Sequence, residues 1–208
     1  MKDNGLLVQY FNANTPADQT LWAKAAKDAV TLKKIGATAV WFPPATKGAA
    51  GKEDMGYAPY DLYDLGEFNQ KGSVGTRYGT KKEYLEAIDA MKVQGINVYA
   101  DIAVRQKLGA DSVEKVTAAD FNAKDIPQMI GNKKIVGALS KFTFAGRRSK
   151  YSKFKWNWNH FAGIDWQQDD FKKRVCELSG MTEEEAEKKY KFSKYDYIIG
   201  SDLLNFIE

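Results

Sequence analysis

Between Gly56 and Phe68 the chain reads GYAPYDLYDLGEF, a run dense in groups that recognise polyols. Tyr57, Tyr60 and Tyr63 offer flat apolar faces with a polar tip, and Asp61, Asp64 and Glu67 offer acceptors. A sugar needs that mixture, because its CH faces stack on rings while its hydroxyls take directed hydrogen bonds. No helical or strand period runs through the segment, so it reads as a shaped loop, where binding residues concentrate. Loop packing competes with this reading, since tyrosines set between glycine and proline also serve as fillers.

The elements that must position this loop can be read on either side of it. Leu6 to Phe11, LLVQYF, is a short apolar strand. From Leu21 to Ile35, Trp22, Ala25, Ala29 and Leu32 recur every three or four positions and form one apolar helical stripe that Gly36 closes. Ala37 to Phe42 is a second strand, stopped by Pro43 and Pro44, which cannot donate to a ladder. After the loop, Thr80 and Glu83 have the spacing of a capping box, and Leu85, Ile88 and Met91 mark the buried face of a helix that Gly95 ends. Ile96 to Val104 is a third strand with almost no polar break, as expected of a parallel strand covered on both sides. The order is βαβαβ. Right-handed crossovers place the functional loops at the carboxyl ends of such strands, where the Tyr57 loop and Arg105 both fall.

After Val104 the alternation stops. Pieces such as KFTFAGRRSKYSKFKWNWNHF predict short antiparallel strands and irregular loops in a separate subdomain, with one helix from Thr182 to about Tyr190 capped through Glu185. The expected division is residues 1–106 and 107–208.

Composition narrows the function classes. The 208 residues are 44% hydrophobic, enough for one core plus a satellite. Thirty-one basic and 27 acidic residues are interspersed, a balance that does not indicate nucleic acid. Cys176 is the single cysteine and excludes an internal disulfide framework. The apolar run near the start is far too short to span a membrane and lacks a cleavage pattern, so the expectation is a cytosolic chain or one whose leader has been removed.

Several runs together carry a family resemblance: NGLLVQYF at Asn4 to Phe11, TAVWFPPATKG at Thr38 to Gly48, GYAPYDLYDLGEFNQKGSVGTRYGTKKEY at Gly56 to Tyr84, VYADI at Val98 to Ile102, FKWNWNHF at Phe154 to Phe161 and YDYIIGSD at Tyr195 to Asp202. In type and order they resemble the bacterial liquefying α-amylases of glycoside hydrolase family thirteen. The resemblance implies the first part of a TIM-type barrel, followed after its third strand by an irregular, mostly antiparallel, calcium-binding B domain. It also implies that the catalytic aspartate and glutamate follow strands four and five, beyond the matched residues. Retaining hydrolysis needs two carboxyl groups roughly 5 Å apart. Asp61 and Asp64 match structural loop positions of the family, so no catalytic residue is expected here.

Two departures from the family pattern concern calcium. Arg105 and Gln106 stand where the family has a calcium-binding asparagine and a sugar-contacting histidine, and Ala162 stands where it has a metal-binding aspartate. Asp196 and Asp202 still match ligand positions, yet a calcium cage wants six to eight oxygens and a guanidinium supplies none. The expectation is an incomplete calcium site, with Arg105 as a possible replacement clasp. Ala58, where the family favours glycine, raises the question of a positive φ. The resulting reading is a truncated amylase-like protein, not hydrolytic alone, with a weak α-glucan surface at Tyr57, Trp41 and Gln106. The alternatives are an α-amylase part completed by another chain, and a protein-interaction scaffold. Three strands leave an arc that should expose Val8, Val40, Trp41, Val98 or their neighbours, so a homo-oligomer or a complementing chain is expected to cover it.

Overall fold

A computed structural model of the chain describes residues 4–122, 128–161, 163–164 and 201–202. Its strands and helices run, in chain order, β1 (Leu7–Gln9), α1 (Leu21–Lys34), β2 (Ala39–Phe42), β3 (Lys47–Gly48), β4 (Pro59–Asp61), α2 (Lys81–Val93), β5 (Asn97–Ala100), β6 (Gln106–Lys107), β7 (Ser112–Asn122), β8 (Gln128–Lys141), β9 (Gly163–Ile164) and β10 (Ser201–Asp202). Contacts divide the chain into two units, Met1–Lys107 with Phe144–Phe154, and Leu108–Thr143 with Lys155–Glu208.

In the first unit β2 lies between β1 and β5, parallel to both, with Val8, Val40 and Val98 side by side. Side chains alternate across a strand, so these valines share one face and Gln9, Trp41 and Tyr99 share the other. The valine face carries the core. Val40 and Phe42 pack with Trp22, Ala25, Ala29 and Leu32 of α1 and Tyr84, Ala87 and Met91 of α2. Trp22 is its hub, with ring centroids 4.7 Å from Tyr84, 5.3 Å from Phe42 and 5.5 Å from Tyr78. Truncating such a buried tryptophan to alanine costs about 3–5 kcal/mol.

The opposite face is open. Leu7 is 54% exposed, Trp41 36% and Tyr99 59%. The arc therefore bares these residues and not the valines, because the two helices claim the valine side. β5 is likewise covered on one side only. On α2 the buried positions are Tyr84, Ala87 and Met91, while Leu85 is exposed; the stripe begins one residue earlier than the sequence suggested. Both arms of the Thr80–Glu83 capping box form. Helix α1 instead starts without a side-chain cap and ends at Gly36, whose φ of +87° suits glycine.

The second unit is built on one long antiparallel hairpin of β7 and β8, with register shifts that mark bulges. Several short strands were expected there. Phe142 donates its N–H to the Trp156 carbonyl, and the Trp156 ring stacks on Phe161 at 5.7 Å. β9 and β10 pair antiparallel. The helix expected from Thr182 and the Cys176 thiol lie outside the described residues. Among the described residues no helix is long and apolar enough to cross a membrane.

Candidate functional site

The loop after β2 is shaped by three groups buried beneath it. Asp64 accepts from the N–H groups of Gly66 (2.9 Å), Glu67 (2.8 Å) and Phe68 (3.3 Å) through Oδ1, and from Gln70 Nε2 (2.9 Å) through Oδ2. Asp61 accepts from Arg147 Nε at 2.7 Å, Gln70 Nε2 at 3.0 Å and the Tyr63 N–H at 3.1 Å. Both carboxylates are fully buried. Buried and hydrogen-bonded at both oxygens, neither is placed to meet a substrate.

Lys47 is the third group. Its Nζ donates to the carbonyls of Val74 (2.6 Å), Ser73 (2.7 Å), Phe68 (3.3 Å) and Gly75 (3.3 Å), and stands 3.7 Å from Asp64 Oδ2. Burial pulls the Lys47 pKa below its usual value, with Asp64 acting in opposition. A second buried lysine, Lys107, reaches the Tyr60 carbonyl at 3.4 Å. Burial brings its pKa down to about 7 against the attraction of Asp61. Sequence reasoning missed Lys47, Lys107 and Arg147 as buried groups, because nothing in their local pattern separates them from surface cations.

On this base the chain turns up to Tyr57. Asp54 Oδ1 accepts from the N–H groups of Gly56 at 2.7 Å and Ala58 at 3.4 Å. Gly56 has φ +93°, and a Cβ there would lie 2.6 Å from Pro44 Cβ and 2.7 Å from the Pro44 carbonyl oxygen. Only glycine fits. Ala58 takes no positive φ, so its replacement of glycine carries no such strain.

The Tyr57 ring is 40% exposed, and its hydroxyl donates to Asp101 Oδ2 at 2.7 Å. Burial, then the Asp101 hydrogen bond, push the phenol pKa well above its ordinary value and keep it a donor. Gln106 Nε2 donates to the Tyr57 carbonyl at 2.9 Å. The Asp101 N–H donates in turn to the Phe42 carbonyl at 3.0 Å, which ties the end of β5 to the end of β2. Tyr57, Asp101 and Gln106 thus form one constellation. Trp41, on the open face of β2, packs edge-on against Phe11 at 5.5 Å.

For calcium, the described residues hold no group of three or more His, Cys, Asp or Glu side chains able to cage an ion. Arg105 is exposed and precedes β6. Asp196 and Ala162 lie outside the described residues, and only the backbone of Asp202 is described.

No family model matches the chain. Individual proteins do. An α-amylase from Geobacillus stearothermophilus is 45% identical over 201 residues, 96% of this chain and 36% of its own length. An α-amylase from Bacillus licheniformis is 42% identical over 200 residues, again 96% of this chain and 39% of its own. The chain resembles the amino-terminal part of a bacterial α-amylase of glycoside hydrolase family thirteen. The glucan 1,4-alpha-maltohexaosidase of Bacillus sp. strain 707 is 41% identical over 202 residues. This α-amylase-like chain spans between 36% and 39% of the length of these three relatives. It also shares its fold with part of an alternansucrase solved with isomaltononaose, at TM-score 0.52 and 22% identity over 71% of this chain and 13% of that one.

Proposed function

We propose that this chain supplies one side of an α-glucan cleft, built on three strands of a (β/α)8 barrel, and that glycosidic hydrolysis depends on carboxylates that another polypeptide segment supplies. The observation that carries the reading is the Tyr57 ring, exposed and held by Asp101 and Gln106 where the parallel strands end. Barrels of this kind bind substrate at that end. The burial of Asp61 and Asp64 supports the second half of the reading, since it removes the loop's own carboxylate pair from any sugar. Titration of the purified chain with maltoheptaose should give weak binding that Tyr57→Ala weakens measurably further. Release of reducing ends from starch by homogeneous protein would refute the hydrolytic dependence.

The open sheet face favours a partner as well. Leu7, Trp41 and Tyr99 present an apolar surface along parallel strands, and such a surface in water calls for a cover. We assign the cover to a further polypeptide segment, whether a second copy, a complementing chain or more of a longer protein. The solution mass of the purified chain tests the second copy directly. Replacement of calcium by Arg105 remains a proposal from sequence, and its test is thermal.

A further inference from the structure

The Tyr57 platform is held from two directions. Its hydroxyl donates to Asp101 at 2.7 Å, which fixes the far edge of the ring. Its carbonyl accepts from Gln106 at 2.9 Å, which fixes the peptide through which the ring leaves the chain. Asp54 takes the N–H groups on both sides, those of Gly56 and Ala58. The arc from Gly56 to Ala58 is therefore tied at successive peptides, and Gln106 provides the one tie on the carbonyl side of Tyr57 among these contacts.

The next residue repeats the arrangement. Lys107 Nζ reaches the Tyr60 carbonyl at 3.4 Å, so the two residues of β6 reach carbonyls three positions apart on the same loop. β6 works as a brace laid against the loop. A ring held in its binding orientation loses less freedom when a sugar stacks on it, and the saving appears as affinity.

The geometry points to Gln106 as a positioning residue for the Tyr57 ring, acting on α-glucan affinity through the loop and without touching the sugar. Its functional consequence rests on the glucan-binding reading above, whereas the positioning itself stands on the two hydrogen bonds. This role differs from the direct sugar contact expected for Gln106 from the sequence.

The test uses the full chain and a matched set of variants. Gln106→Met keeps the length of the side chain and removes the donor, and should weaken maltoheptaose binding about tenfold, the upper worth of one hydrogen bond. Tyr57→Ala binds weakly, and the Tyr57→Ala/Gln106→Met double variant should bind no more weakly, because Gln106 then has no ring to orient. Additive losses would show that Gln106 meets the sugar itself and would overturn the proposal. In protein labelled with 3-fluorotyrosine, the fluorine resonance missing from Tyr57→Phe reports the ring without any glucan present. It should move or broaden in Gln106→Met, and an unmoved resonance overturns the positioning. If the unaltered chain binds no maltoheptaose, the glucan reading fails, and the fluorine spectrum still decides the positioning.

Discussion

Replacing Lys107 with methionine should change how the stability of this chain depends on pH. The lysine is 1% exposed, and burial holds its pKa at about 7 in the folded chain, against an ordinary lysine value of 10.5. Asp61 draws the pKa back up and Arg147 pushes it further down, and both remain in place in the variant. Between those two pH values the unfolded chain holds a proton that the folded chain has lost. Stability therefore rises with pH across this window. Linkage from these two pKa values gives an increase of about 2 kcal/mol from pH 7 to pH 9, approaching about 5 kcal/mol over the whole window. Below pH 7 both states are protonated and the full cost of the buried charge is present. Urea unfolding followed by tryptophan fluorescence at several pH values, on the unaltered chain and on Lys107→Met, isolates the contribution as a difference of slopes. The variant should lack about 2 kcal/mol of the rise between pH 7 and pH 9. Parallel curves, or a variant that gains more with pH than its parent, would refute the reasoning.

Three further outcomes can be measured on the same chain. Lys47→Met strands the Ser73 and Val74 carbonyls and leaves Asp64 without its cation, so unfolding should become easier by about 3–5 kcal/mol; a loss under about 1 kcal/mol in urea would contradict the cage. Gly56→Ala puts a Cβ within 2.7 Å of the Pro44 carbonyl oxygen, and the backbone must shift at a cost of about 1–3 kcal/mol, read as a lower melting temperature together with weaker maltoheptaose binding. If Arg105 takes the place of calcium, as proposed above, chelation should leave the melting curve of the unaltered chain where it was; a drop of several degrees would restore calcium to the account.

Local rules made the frame of the first unit readable. The stripe of Trp22, Ala25, Ala29 and Leu32 is buried as its spacing demands, and the Thr80–Glu83 pair caps α2 because the partners lie three residues apart. Alternation told which residues share a strand face, but not which face the helices would take, and that choice separated the buried Val40 from the exposed Tyr99. The polar base of the site was hidden for another reason. Arg147 meets Asp61 across 86 positions, and a cation in a basic, aromatic run looks like a surface residue until its partner is known. Gln106 could be placed beside Tyr57 from the order of elements. Its amide nitrogen goes to a backbone carbonyl, a detail that spacing does not encode.

The ammonium of Lys47 among its carbonyl oxygens has a consequence for where this loop can keep its shape. A charge carried on a tether is synthesised with the polypeptide, so it cannot be diluted out, exchanged or stripped by a sequestering agent. The curl of residues 68–75 should thus be indifferent to the mineral content of its surroundings. Its vulnerability is chemical instead: a reagent that acylates the amine during synthesis or unfolding would leave the curl without its pin.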